Sequence, residues 1–339
     1  SEENYFFRLS KYQKQLIDLI TSSRLTIIPD FRKNEVLSFL KQPLQDISIS
    51  RTNERAKNWG VPVPGDDTQR MYVWFDALNI YQSGVGFGWN DEQYKKWWPA
   101  DVHVIGKGIS RFHAVYWPAF LLSAGLEPPK SIFVHGYFTV NGQKMSKTLG
   151  NVIDPFELIK KYGADPLRYY FLREIPSVGD GDFSERRFKE LYNADLANGL
   201  GNLVARVAKL CEGIPQNYSI KQIHYIFEPQ QQVKVAFKDY EKKYIDSLDK
   251  FQFNEALIAL WGEIKFLDSE FDRVQPWTYD KSDESKKEEI RTLLLNSVSE
   301  IKSIATYLRP FLPETAEKIL KQFAGPTIKS ETPLFPRLI

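Results

Sequence analysis

Gly142-Gln-Lys-Met-Ser-Lys-Thr-Leu-Gly-Asn151 is the stretch on which the reading of this chain turns. Lys144 and Lys147 stand three residues apart, with the Ser146 hydroxyl between them and glycines on both flanks. Such a cationic loop is suited to gripping triphosphate oxygens through Lys144, Met145, Ser146 and Lys147. A bare K-x-x-K between glycines would more often be a solvated surface loop, because runs of charge usually face water. The neighbours point the other way. The apolar run Ser131-Ile-Phe-Val-His-Gly-Tyr-Phe-Thr-Val140 leads in as a buried strand, and Asp154-Pro155 opens a helix with an N-cap and a proline at its first position. The predicted order is strand, phosphate-gripping loop, helix.

Around this core the composition is ordinary: 339 residues, 42% hydrophobic and 26% charged, enough for two domains with separate cores. The longest apolar stretches, such as Ala114 to Leu122, are too short for a membrane span and contain proline. One cysteine, Cys211, excludes an internal disulfide framework and a cysteine-cluster zinc site, so no protein-bound metal is expected. A net charge of +2 requires any nucleic-acid contact to be a local surface.

The chain changes character near Gly179-Asp-Gly-Asp182. Before it lie short apolar strands and proline-rich turns, including Trp59-Gly-Val-Pro-Val-Pro-Gly65, and after it come long helical stretches. Two domains are expected, 1-178 and 179-339. In the first, Leu9, Tyr12, Leu16, Leu19 and Ile20 form a helical stripe, and Glu35 to Leu40 is a second short helix. Met71 to Phe75, Val102 to Ile105 and Ile132 to Val140 have the pattern of strands in a parallel sheet covered on both faces. This α/β arrangement resembles the second half of a doubly wound nucleotide-binding fold, with ligands at the strands' carboxyl ends, where Gly106-Lys107-Gly108 falls. In the second domain Glu185 to Leu210, Val233 to Leu248, Asn254 to Phe271, Lys286 to Leu308 and Pro313 to Phe323 predict an all-α bundle. Taken alone, that bundle is a packing scaffold.

At this point the motifs match a family. Glu3-Asn-Tyr-Phe-Phe-Arg-Leu-Ser10, Ile49-Ser-Arg51, Tyr72-Val-Trp-Phe-Asp-Ala77, Arg111-Phe-His-Ala-Val-Tyr-Trp-Pro118, Val134-His-Gly136 and Lys144-Met-Ser-Lys-Thr148 together resemble the methionyl-tRNA synthetases, class I aminoacyl-tRNA synthetases. The likeness runs on to Leu334-Phe-Pro-Arg337. The resemblance implies ATP-dependent activation of methionine to methionyl-adenylate, then transfer to tRNA(Met), with ATP and its Mg2+ as substrate. Lys144, Lys147 and Arg51 are the implied catalytic residues, with His135 and Gly106 at the nucleotide; Arg51 and His135 have a plain structural reading as well. Trp74, Ala77, Tyr81, Phe112, His113 and Trp117 match the family's methionine pocket. A thioether offers little to hydrogen-bond and is selected by shape and sulfur–aromatic contact. On spacing, His113 and Trp117 share a helix face, which a plain aromatic core would also do. Asn202, Arg206 and Trp277 resemble the anticodon readers, suited to stacking a splayed base and reaching base edges.

The sequence departs from the family in two places. No H-x-G-H motif is present, and His103, His113, His135 and His224 have no partner at that spacing. The expectation is therefore a carboxyl-terminal portion that needs an amino-terminal half and is inactive alone. Gly108 stands where the family usually has aspartate, which bears on ATP positioning and on Arg51. A non-catalytic tRNA-binding fragment and a sister ligase for isoleucine, valine or leucine stay open as alternatives. No membrane partner is expected, and the chain is expected to be a monomer. Val63-Pro-Gly-Asp-Asp67 and Trp97-Trp-Pro99 resemble the organellar version, giving the mitochondrial matrix as the expected compartment and the cytoplasm as the alternative.

Overall fold

The computed structural model describes residues 3–212, 233–278, 283–325 and 327–338, so His224 lies outside the described residues. Two compact units divide between Tyr137 and Phe138, earlier than the expected change at 178/179. The reason lies in packing. Leu167, Tyr169 and Tyr170 belong to helix Ala164–Arg173, ahead of that change, yet they are buried in one core with Leu203, Leu260 and Ile304 of the long helices.

The first unit holds the strands β1 (Phe6–Phe7), β2 (Thr26–Ile28), β3 (Ile47–Ser48), β4 (Ser50–Thr52), β5 (Pro62–Val63), β6 (Asp66–Met71), β7 (His103–Gly106) and β8 (Ser131–His135). The expected parallel sheet is present in the order β2–β8–β7, all parallel. Its β8 residues Ile132 and Val134 are buried with Leu16 and Ile20 of helix Gln13–Thr21 and with Leu40 of helix Asp30–Leu40. The predicted stripe therefore faces the core, and the second helix starts five residues before the expected Glu35.

One strand expectation fails. Met71 to Phe75 is not part of the parallel sheet: β6 ends at Met71 in a separate antiparallel sheet, β4–β6–β5, and Val73–Ala77 turns into a short helix. A continuous apolar run does not by itself separate strand from helix. Here the Tyr72 N–H makes a last bond to the Ile49 carbonyl at 2.8 Å, after which Phe75 N–H bonds back to the Tyr72 carbonyl at 2.9 Å.

The run Ile132 to Val140 also divides. β8 ends at His135, and β9 (Phe138–Val140) belongs to the second unit, where it pairs antiparallel with β10 (Gln143–Lys144) and parallel with β11 (Gly181–Phe183). The rest of that unit is mostly helical. Residues 185–212 are continuously helical, as expected, but Tyr192–Gly201 is wound as a π-helix. A Cβ on Gly201 would lie 2.9 Å from the Leu196 carbonyl oxygen, so glycine suits the wide turn. Helices Val233–Asp249, Phe253–Val274, Glu284–Leu308 and Pro313–Gln322 complete it. Among the described residues no helix is long and apolar enough to cross a membrane.

Asp165, only 3% exposed, ties two of these helices together by accepting the Thr315 backbone N–H at 2.6 Å. This is an N-cap supplied from another helix. Asp165→Ala strips that buried donor of its partner and is expected to cost about 2 kcal/mol, read from urea unfolding, with Asp165→Asn retaining part of it.

Candidate functional site

The short helix Val73–Ala77 and the turn after it bring Trp74 and Tyr81 onto a second helical segment, Phe112–Tyr116, which is π-helical rather than the α-helix behind the shared-face expectation. Trp74 stacks on Phe112, with ring centroids 4.1 Å apart and planes 18° apart. Tyr81 is the hub, its ring lying 5.5 Å from His113 and 6.5 Å from Trp117. Ala77 is exposed on the same short helix as Trp74. Two further rings belong here that sequence reasoning did not place: His103, 4.3 Å from Tyr81, and Trp98, 6.4 Å from Trp117. Neither carried a signal, since each arrives from an element separated from the others by loops.

The polar atoms of this cluster fix its protonation. His113 Nδ1 lies 3.0 Å from the Ile109 carbonyl, which only accepts, so Nδ1 carries the proton. Nε2 is then the acceptor for the Tyr81 hydroxyl at 2.8 Å. Burial holds the His113 pKa below the usual histidine value, and burial together with the neighbouring His113 lowers His103 to about 4. Burial raises the Tyr81 phenol, keeping it a donor. His103 Nδ1 and Trp117 Nε1 are buried without a partner among the described residues. The arrangement is an uncharged aromatic chamber with idle polar atoms, suited to an uncharged, polarizable group.

At the carboxyl ends of the parallel strands, Gly106 pairs with His135. The His135 Nδ1–H donates to the Gly136 carbonyl at 2.7 Å, which leaves Nε2 as an acceptor. Arg51 sits on β4, donating to Ser48 Oγ at 2.7 Å and to the Ser50 carbonyl at 2.6 Å, with its guanidinium 4.6 Å from the Tyr72 ring centroid. Among the described residues no hydrogen bond or ion pair joins Arg51 to His135 or Gly106. Gly108 has a structural counterpart: a Cβ built there would fall 1.9 Å from the Tyr137 hydroxyl and 3.2 Å from its ring carbon. Tyr137 thus fills the place an aspartate side chain at position 108 would need.

In the second unit Lys144 ends a tight hairpin. Asn141 and Gly142, at φ 50 and 76, are its central residues, a left-handed pair typical of Asn-Gly turns. Asp182 of β11 holds the turn, accepting from Gly142 N–H at 2.7 Å and Thr139 Oγ1 at 2.6 Å. Asn151 clamps the loop itself: its Oδ1 accepts from Ser146 N–H at 2.8 Å, and its Nδ2 donates to the Lys144 carbonyl at 3.1 Å. Lys144 and Lys147 are both exposed, and no carboxylate pairs with either among the described residues. A braced backbone therefore carries two unspent ammonium groups.

Farther along the same unit, Arg206 bridges to Asp268 at 3.0 Å and Asp272 at 3.5 Å, with its guanidinium 5.6 Å from the Trp277 ring centroid. Trp277 is 54% exposed, and Asn202 is exposed at the start of the helix that carries Arg206. The structure brings Arg206 and Trp277 together and leaves an aromatic face open beside them.

The family model described as tRNA synthetases class I (M) matches residues 1–208. A methionine–tRNA ligase of Thermotoga maritima is 42% identical over 95% of this chain and 50% of its own length. One from Brucella melitensis is 42% identical over 97% and 63%. The solved Mycobacterium tuberculosis methionyl-tRNA synthetase in complex with methionyl-adenylate superposes with a TM-score of 0.87 at 36% identity, covering 99% of this chain and 69% of that one. The chain thus spans about half to two thirds of the length of the curated relatives it matches. With that family model running through the parallel sheet, the aromatic chamber and the lysine loop, the chain belongs to the class I tRNA synthetases of the methionine type.

Proposed function

We propose that this chain supplies the methionine pocket, the phosphate-gripping lysine loop and the anticodon-binding helices of a methionine–tRNA ligase. In the first step a methionine carboxylate oxygen attacks the α-phosphorus of ATP and the bond to pyrophosphate breaks, giving methionyl-adenylate. In the second a tRNA ribose hydroxyl attacks the acyl carbon and AMP leaves. Lys144 and Lys147 stabilise charge on the departing pyrophosphate, and Arg51, His135 and Gly106 line the nucleotide. Trp74, Ala77, Tyr81, Phe112, His113 and Trp117 hold the methionine side chain. Asn202, Arg206 and Trp277 read the anticodon, Trp277 by stacking.

The observation that carries this reading is the chamber around Tyr81 and the neutral His113. Intrinsic tryptophan fluorescence of the chain, titrated with amino acids, tests it. Methionine is expected to bind at least tenfold more tightly than isoleucine, valine or leucine, because branched side chains misfit the stacked rings at about 1–3 kcal/mol. Equal affinity for leucine would sink it. A second reading, a tRNA-binding chain without chemistry, draws on Gly108. A polypeptide carrying an H-x-G-H half, added in trans, decides between them: ATP–pyrophosphate exchange with methionine should appear only in the mixture.

A further inference from the structure

The antiparallel sheet β4–β6–β5 carries charge that the described protein groups do not balance. Arg51 on β4 stands directly opposite Arg70 on β6. Residues opposed in this way project from one face of the sheet, and like charges so placed repel. Arg51 spends one amino group on Ser48 and Ser50. Arg70 Nε is buried without an acceptor, and no carboxylate pairs with either guanidinium among the described residues. A buried donor with nothing to donate to, beside a second guanidinium, fits an anion shared between the two forks.

The chain next to this pair is strained. Lys57 and Asn58 are both left-handed, at φ 52 and 55, a conformation that residues other than glycine adopt at a cost. They deliver Trp59, 86% exposed, to the surface. Gly60 follows so close to β6 that a Cβ on it would lie 3.7 Å from the Cβ of Arg70. The residue that carries this open indole is thus joined directly to backbone that abuts Arg70. A groove that tracks phosphates with an aromatic platform beside it is how proteins hold single-stranded nucleic acid.

We propose that this sheet is a landing surface for a single-stranded RNA end, with Arg51 and Arg70 sharing one phosphodiester and Trp59 stacking a neighbouring base. The proposal rests on the ligase reading, in which the acyl group goes to a single-stranded tRNA terminus. Arg51 also belongs to the nucleotide site in that reading, so the test falls on Arg70 and Trp59.

Fluorescence anisotropy of a short labelled single-stranded RNA ending in CCA, bound to this chain over a series of KCl concentrations, provides the measurement. Arg70→Gln is expected to weaken binding several-fold and to reduce the slope of log K against log salt by about 0.7, the value for one lost phosphate contact. Trp59→Ala, at a position too exposed to endanger folding, should weaken binding about tenfold with the slope unchanged. Wild-type affinity and slope in both variants overturn the proposal. Displacement of the RNA by ATP, with Arg70→Gln losing ATP affinity, also overturns it and assigns the pair to a free triphosphate. A hairpin carrying the methionine anticodon separates this from the parent reading. Hairpin binding without any Arg70 or Trp59 effect on the single strand removes this proposal alone. Single-strand binding with the stated effects, but no hairpin or methionine binding, removes the parent reading alone.

Discussion

Lys147→Ala, in a polypeptide extended to the length of its relatives, is expected to lower the rate of methionyl-adenylate formation by about 10²–10³-fold, as removal of one preorganised charge donor does elsewhere. The cause is charge placement. As the α-phosphorus bond to pyrophosphate breaks, negative charge accumulates on the departing oxygens, and an ammonium aimed there stabilises the transition state more than the ground state. Lys147 has no competing carboxylate among the described residues, and the Asn151 clamp on Ser146 N–H and the Lys144 carbonyl holds the turn from which it projects. Because the side chain is exposed, its truncation should shift stability by no more than about 0.5 kcal/mol. The KM for methionine should hardly move, since methionine carries none of the developing charge. Lys147→Arg keeps the charge but exchanges a compact point for a planar fork, and should recover only part of the rate. The assay is methionine-dependent ATP–pyrophosphate exchange, and exchange at the parent rate would remove Lys147 from the chemistry.

How much of this was legible before folding depends on distance along the chain. The lysine loop was, because its residues are contiguous and the helix that follows starts with a local cap, Asp154 accepting from Phe156 N–H at 2.9 Å. The hairpin beneath the loop was also written in the sequence, since Asn141-Gly142 directly after an apolar run is a short-range turn signal. That turn signal divides the run from Ile132 to Val140, since β9 must end at Val140 to pair with β10. β2 is only three residues long, too short for any periodicity to mark it. Most of the aromatic chamber was legible through motif likeness, whereas His103 and Trp98 join it only through tertiary packing. The Arg51–Arg70 juxtaposition was beyond reach, because it depends on the register of β4 against β6.

Acidification should drain stability from the first unit before it protonates the aromatic chamber in the fold. His103 has a pKa of about 4 in the fold against 6.5 in an unconstrained chain, chiefly through burial and then through the nearby His113, whose own pKa is lowered by burial. The sign follows from which state holds the proton. Above about pH 6.5 both imidazoles are neutral in the folded and unfolded chain, and the full stability of the cluster is present. As pH falls toward 4 the unfolded chain takes up protons that the folded chain refuses, so stability drains across that window. Below about 4 His103 protonates in the fold as well, and its share of the loss is complete. The interval of about 2.5 units corresponds to roughly 3 kcal/mol from His103. Protonating His113 would also put a charge among the rings and turn Nε2 into a donor, reversing the 2.8 Å bond so that the Tyr81 oxygen accepts. Methionine affinity, followed by tryptophan fluorescence, is therefore expected to hold as pH falls through 6.5 and to drop only toward the lowered folded-state values, about 4 for His103. His103→Gln, which cannot titrate, should flatten the stability slope measured by urea unfolding, while leaving the part of the binding loss that belongs to His113. A parent chain whose stability were level from pH 7 to 4.5, or whose methionine affinity already fell near pH 6.5, would show that neither imidazole is held neutral by its surroundings.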